Sequence, residues 1–284
     1  MAERELFQRR DLFQMANSLR LRIHHYARGY FRVVQEEPRA WLQNRLFFAL
    51  DNPDGADNRV TAEGAAMSFE AGHLYFIPAG YPVMMCLNGR MFFLSVQFNL
   101  ELFPGLDLFS GCTGIRVVES PAILPRLLEL FDAPPASSPL AAMELNRLVY
   151  EAALELSARY PAAAFEEVFR FQRYFPLIRY LEEHGNAGTK VAELAARMSE
   201  GRENFTRRFH AETGYTPKEF LQRVLTGKAS DLLLTGIPVK EAAARLGFSD
   251  EFAFSRFFKR QLGISPSVWK SMNPLPRDPV PPLH

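Results

Sequence analysis

Two cysteines stand in the 284 residues, Cys86 and Cys112. Two are too few for a disulfide framework, and without a secretory leader they read as reduced, buried thiols of a cytoplasmic protein. The start of the chain, MAERELFQRRDLFQM, is charged throughout and has no apolar signal core. No run of about 18 apolar residues occurs, so no membrane span is expected. An excess of one charge is missing too. Lys and Arg number 33 against 32 Asp and Glu, a net charge of +1, which gives the whole molecule no preference for polyanions. There is no Gly-x-Ser-x-Gly nucleophile motif and no Gly-rich phosphate loop. The six histidines are scattered except for His24-His25, and neighbours on a strand point to opposite faces. No metal site and no cofactor are expected.

What is present falls into two kinds of periodicity. The length suits two domains, and a hydrophobic content of 48% is enough for a core in each. Up to residue 120 the chain reads as short strands rich in aromatic and branched residues: LRIHHYARGYFRVV, NRLFFAL, AAMSFEAG, HLYFIPAG and MFFLSVQFNL. DNPDGADN at 51–58, Gly72, Gly80 and the Asn-Gly at 88–89 are turn signals between them. Such strands predict a barrel or sandwich. From 121 to 164 the period becomes helical, in PAILPRLLELF and LAAMELNRLVYEAALELSARY, separated by DAPPASSP at 132–139. From 165 to 275 the chain is helical throughout, with Pro176 either bending the helix FRFQRYFPLIRYLEEH or marking its true start. A Pro-rich tail, 276–284, closes it. Charge follows the same division: 165–275 holds 17 basic and 13 acidic residues, 1–164 holds 15 and 18.

The helical part repeats itself. VAELAARM at 191–198 matches VKEAAARL at 239–246. Further on, Phe205/Phe254, Arg207/Arg256, Phe209/Phe258, Gly214/Gly263, Pro217/Pro266 and Phe220/Trp269 match at an offset of 49. Each copy reads as helix, tight turn, helix. The small pairs Ala195-Ala196 and Ala243-Ala244 allow close helix approach, and Phe254 and Phe258, four apart, should fill a core. Glu251, Phe252, Ser255 and Arg256 then include the outward face of a helix able to enter a major groove. Between the copies lies TPKEFLQRVLTGKASDLLLTG, a helix of about 30 Å at about 1.5 Å per residue, close to the roughly 34 Å turn of B-DNA. The copies read as two DNA readers on a rigid rod, or as a helical repeat serving protein contacts.

Residues 170–272 resemble the DNA-binding domain of AraC/XylS-family transcription regulators. VAELAARM, FTRRFHAETGYTPKEFLQ and LLLTGIPVKEAAARLGFSDEFAFSRFFKRQLGISPSVWK carry the resemblance. It implies an all-α domain of two helix-turn-helix motifs joined by a linker helix. It also implies DNA contacts from Arg202, Glu203, Thr206 and Arg207 in the first motif, and from Glu251, Phe252, Ser255 and Arg256 in the second. For single residues alternatives stand. Arg207 and Arg256 either read DNA or pin their own motif; Phe252 either meets a thymine methyl or joins the core; Lys259 and Arg260 are phosphate contacts or solvated charge.

FEAGHLYFIPAGYPV resembles the strand-turn-strand segment of cupin barrels, through Gly72, Pro78, Gly80 and Pro82. Metal-binding cupins carry a His shortly after such a Pro-x-Gly, where Val83 stands here, which argues against an enzyme. The expectation is therefore an α+β chain: a cupin-like sensor barrel over 1–120 with flanking helices, a helical dimerisation region over 121–164, and the DNA-binding domain over 165–275. Tyr26, Tyr30, Phe47, Tyr75, Phe93 and Gln97 are candidate linings for a small organic effector, or ordinary core. The barrel could equally answer to a protein partner. Leu145, Leu148, Ala152 and Leu156 recur at three and four and form either a homodimer seam or the cover of the chain's own barrel. The function read here is a DNA-binding activator working with RNA polymerase; the alternative is a metal-free cupin enzyme with an accessory DNA module. The first motif should be the less well formed. Its turn is Ser-Glu-Gly where the second has Gly-Phe-Ser, so Glu200 must turn outward or find a basic neighbour such as Arg197, and Glu200→Met should stabilise 189–213 and tighten DNA binding.

Overall fold

The computed structural model describes residues 15–53, 57–103, 105–133 and 138–272. The charged start of the chain, parts of the 51–58 and 132–139 turns, and the Pro-rich tail lie outside them. The chain forms two compact units. One is Leu21–Leu100 with Leu108–Glu166. The other comprises Met1–Arg20, Glu101–Asp107 and the chain from Glu167 onward.

Eight strands make one half-barrel sheet: β1 (Arg20–Val34), β2 (Asn44–Asp51), β3 (Arg59–Ala62), β4 (Ala65–Ser68), β5 (His73–Ile77), β6 (Met84–Phe103), β7 (Leu106–Asp107) and β8 (Arg116–Glu119). Their order is β4-β3-β6-β2-β5-β8, with β1 and β7 also paired to β6. Within this order every pairing whose register is defined is antiparallel. The short β3, β7 and β8 were not foreseen as strands. The Asn-Gly at 88–89 makes no break either, because β6 runs straight through it. Gly89 takes φ +88° there, with Arg32 of β1 close behind its Cα, and the Asn88 Oδ1 accepts the Arg90 N–H at 2.8 Å. Gly72 and Gly80 do turn the chain, each at φ +80°.

Strand register sorts the apolar residues onto two faces. Phe47 lies opposite both Tyr75 and Ser95, and Ala49 opposite Phe93. Phe47, Ala49, Tyr75 and Phe93 join Val60, Ile77, Val83, Met85 and Met91 in the inner cluster. Leu46 lies opposite Phe76 and Val96, and Phe48 opposite Leu74 and Leu94, on the other face. Both faces are buried. This is why β2 reads as an almost unbroken hydrophobic run rather than an alternating one. Phe109 and Tyr160 cover the outer face through edge contacts with Phe76 at 4.9 and 6.2 Å. The helices α1 (Leu124–Asp132) and α2 (Pro139–Ser157) belong to this unit. Leu148, Val149, Ala152, Ala153 and Leu156 of α2 are all buried.

The second unit is helical. After a short α3 (Glu166–Arg170) come α4 (Phe175–His184), α5 (Val191–Arg197), α6 (Arg202–Thr213), α7 (Pro217–Leu234), α8 (Val239–Arg245), α9 (Glu251–Leu262) and α10 (Pro266–Met272). Pro176 sits in the first turn of α4 and so marks its start, where a missing N–H costs nothing. The matched positions of the two copies do matching work. Gly214 and Gly263 end α6 and α9 in the left-handed conformation, at φ +81° and +75°. Pro217 and Pro266 open the following helices, and α7 has a full capping box between Thr216 and Glu219. Phe205, Phe209 and Phe220 are buried with Phe171 and Phe103 in one aromatic cluster. Phe254, Phe258 and Trp269 are buried with Leu233, Ala242, Ala243 and Leu246 in another.

Candidate nucleic-acid interface

The two helix pairs are joined by the same kind of turn. After α5 the Ser199 N–H bonds the Ala196 carbonyl and the Glu200 N–H the Ala195 carbonyl, both at 3.0 Å. After α8 the Gly247 N–H bonds Ala244 at 3.1 Å and the Phe248 N–H bonds Ala243 at 3.0 Å. Both turns need a left-handed residue. Gly247 supplies it at φ +72°, whereas Ser199 adopts φ +58° without the freedom of glycine. The plug differs as well. Phe248 packs against Phe254 and Phe257 with ring centroids 5.4 and 5.1 Å away. Glu200 forms an ion pair with Arg208 instead, and both side chains are largely buried. The expected neighbour Arg197 is engaged elsewhere, its guanidinium 3.2 Å from the centre of the Tyr180 ring.

At the start of α9, Asp250 is the N-cap. Its Oδ1 accepts the Ala253 N–H at 2.6 Å and its Oδ2 the Ser249 hydroxyl at 3.0 Å. The Ala253 N–H bond, then the Ser249 hydroxyl, holds the carboxyl below the usual aspartate range. At the start of α6, Gly201 takes the N-cap position and offers no side-chain acceptor.

None of the eight expected contact residues enters a core. Arg202, Glu203, Arg207, Glu251, Phe252 and Arg256 are exposed, and Thr206 and Ser255 half-buried. Phe252 is 68% exposed, so it is not a core residue. Thr206 donates its hydroxyl to the Arg202 carbonyl at 2.8 Å, and Arg207 Nη2 donates to Asn204 Oδ1 at 3.0 Å. Arg207 is thus held along its own helix by an amide rather than by an ion pair. Arg256, with Lys218 and Arg260, lines a cleft of about 470 Å³ whose apolar wall includes Leu221, Phe248 and Phe257. Lys218 was not singled out by sequence; its position one residue after Pro217 gave no sign that the fold would bring it beside α9.

The candidate effector residues divide. Phe47, Tyr75 and Phe93 lie together in the inner cluster, fully or almost fully buried. Tyr75 is tied down, its hydroxyl accepting the Glu70 N–H at 2.7 Å and donating to the Ser68 carbonyl at 3.1 Å. Gln97 shares that face, opposite Arg45. Tyr26 and Tyr30 do not line the interior: they are 47% and 60% exposed, on the opposite side of β1, against Phe131 and Phe92. The alternation of β1 explains the difference, since Phe31 contacts Phe93 on the inner side. The dimer seam needs correction too. Leu148, Ala152 and Leu156 are at most 1% exposed within the chain's own unit and Leu145 is half-buried. The open apolar side chains of α2 are Leu140, Met143 and Leu154.

Among the described residues no three His, Cys, Asp or Glu side chains gather where they could hold a metal ion. No helix among them is long and apolar enough to cross a membrane.

A family model described as a helix-turn-helix domain matches residues 194–272, which take in α6 to α10. The raffinose operon transcriptional regulatory protein RafR of Pediococcus pentosaceus is 24% identical over 226 residues, 76% of this chain and 82% of its own length. The HTH-type transcriptional activator RhaS of Klebsiella pneumoniae is 35% identical over 91 residues, 32% of this chain and 33% of its own. Among solved structures, ToxT from Vibrio cholerae O395 shares the fold across 91% of this chain and 99% of its own, at 11% identity and a TM-score of 0.51. The helical unit and its matched domain define a helix-turn-helix, DNA-binding transcription regulator. The matched domain is of the AraC/XylS type, and the relatives to which the chain is similar are transcription regulators rather than enzymes.

Proposed function

We propose that α5–α6 and α8–α9 are two helix-turn-helix motifs that read double-stranded DNA side by side, with α7 as their linker helix. One observation carries this reading. Phe205, Phe209, Phe254 and Phe258 fill the cores, while the eight residues Arg202, Glu203, Thr206, Arg207, Glu251, Phe252, Ser255 and Arg256 stay clear of them. Helix α7 has 18 residues, about 27 Å at about 1.5 Å per residue, which suits motifs one DNA turn apart. Lys259 and Arg260 add sequence-independent phosphate contacts.

The cupin-like sheet unit gates this binding by taking a small organic effector or by meeting a protein partner. Phe47, Tyr75, Phe93 and Gln97 remain its candidate lining; Tyr26 and Tyr30 leave the set. The regulator acts in the cytoplasm as a homodimer and as an activator that engages RNA polymerase. RhaS, to which the DNA-binding part is similar, is named an activator. The homodimer uses the open face of α2, through Leu140, Met143 and Leu154.

The reading is tested by mapping the sites the chain occupies across its genome and measuring binding of the purified protein to the recovered fragments. Retardation of those fragments over unrelated DNA at matched salt is expected. Equal affinity for both would overturn it.

A further inference from the structure

The sheet unit holds a cation with no counter-charge. Arg45 lies on β2, two residues before Phe47 and on the same inner face, opposite Ile77 on β5 and Gln97 on β6. Its guanidinium rests on the Trp41 ring, 4.4 Å from the centroid. Nε is buried and hydrogen-bonded to nothing. Among the described residues no carboxylate lies within ion-pair distance of it. Burial brings its pKa down to about 10, which leaves it charged at neutral pH.

Two more buried polar atoms without partners belong to the same end of the unit. Ser95 Oγ is one, on the face of β6 that carries Gln97. His25 Nδ1 is the other. The His25 imidazole is held below its ordinary pKa by burial first and by the charge of Arg45 second. A half-buried cation whose buried Nε has no acceptor, a buried hydroxyl and a half-buried imidazole, each short of a partner, are costly to leave unsatisfied. The cost is removed by one group that is anionic, compact and rich in acceptors.

We propose that Arg45 anchors the carboxylate of a small organic acid, with Ser95 and Gln97 as neutral donors and the apolar part of the acid lying against Trp41. A monocarboxylate fits the charge: one half-buried guanidinium balances one negative charge, and a planar carboxylate matches its paired N–H groups. A phosphate dianion would leave excess charge inside, and an uncharged sugar would leave Arg45 uncompensated. The inference deepens the effector reading above and rests on it.

The test uses the full chain with benzoate and hexanoate as probes and benzamide as the uncharged control. Both acids should raise the melting temperature and change the fluorescence of Trp41, with Trp269→Phe removing the other tryptophan, while benzamide does neither. Arg45→Met should lose at least tenfold in benzoate affinity and Arg45→Lys should lose less. Binding of benzamide as tight as that of benzoate, no response to either acid, or parental affinity in Arg45→Met would each overturn the proposal. The parent's fluorescence with acid and amide decides the matter even if Arg45→Met does not fold. DNA affinity separates the two readings: acid that binds through Arg45 without altering it leaves the site standing and removes the gating. A neutral compound that alters it while the acids do not bind keeps the gating and removes the site.

Discussion

Glu200 and Phe248 occupy equivalent places in two turns whose backbones match bond for bond, yet one carries a charge and the other an aromatic ring. The pairing with Arg208 changes what a substitution there does. Methionine would fill the plug position but strip Arg208 of its nearer carboxylate, leaving Glu212 at 3.9 Å. Glu200→Met should therefore stay within about 1 kcal/mol of the parent in denaturant unfolding instead of stabilising it. A double-mutant cycle on Glu200 and Arg208 should give a coupling of about 1 kcal/mol that shrinks in high salt. A second expectation concerns His24, whose Nε2 lies 2.8 Å from Asn99 Oδ1. Burial, opposed by the Asn99 bond and aided by the charge of Arg22, lowers its pKa from 6.5 to about 4. The folded protein thus resists a proton that the unfolded chain accepts. The stability is complete above pH 6.5 and is lost as the pH falls from 6.5 towards 4, by up to about 1.4 kcal/mol per pH unit. Urea unfolding at pH 7 and pH 5 should show the loss, and His24→Gln should flatten it.

Helices and strands show where sequence reasoning was sufficient. The repeat spoke plainly because helix caps and core positions are local chemistry: Gly214 and Gly263, Pro217 and Pro266, and the Phe pairs each act within a few residues of themselves. The strands spoke less plainly. Burial of both faces of β2 erases its alternation, and β1 carries aromatic rings on both sides, Tyr26 and Tyr30 on one and Phe31 on the other, so Tyr26 and Tyr30 could not be told from inward residues. An Asn-Gly that usually turns a hairpin is absorbed by β6 because β1 covers it. The apolar stripe of α2 was visible, but which surface covered it was not. Leu148→Ala should now cost about 2–5 kcal/mol in unfolding free energy, as a cavity in a closed core does. Leu140→Glu with Leu154→Glu should leave the melting temperature almost unchanged and, if this face joins two chains, shift light-scattering mass to that of a monomer. On α6 and α9, Arg207→Ala and Arg256→Ala should each weaken specific DNA binding by about 1–3 kcal/mol at matched salt. Parental affinity in both would move the reading face elsewhere.

Over the whole molecule, the near-neutral total hides a split of charge, 17 basic to 13 acidic residues in 165–275. Such a modest surplus makes position count for more than quantity, and the cleft holding Lys218, Arg256 and Arg260 is where basic side chains gather. Helix α7 sets a further constraint. Each residue of an α-helix adds about 1.5 Å and turns it by about 100°. Inserting one residue into α7 would swing α8–α9 by more than a quarter-turn, and two would face it nearly backwards. Under the proposed reading, spacing along DNA is thus geared to rotation about the rod. A lineage carrying this rod would then retune which bases it prefers by exchanging exposed side chains, without drifting gradually in how far apart it reads them.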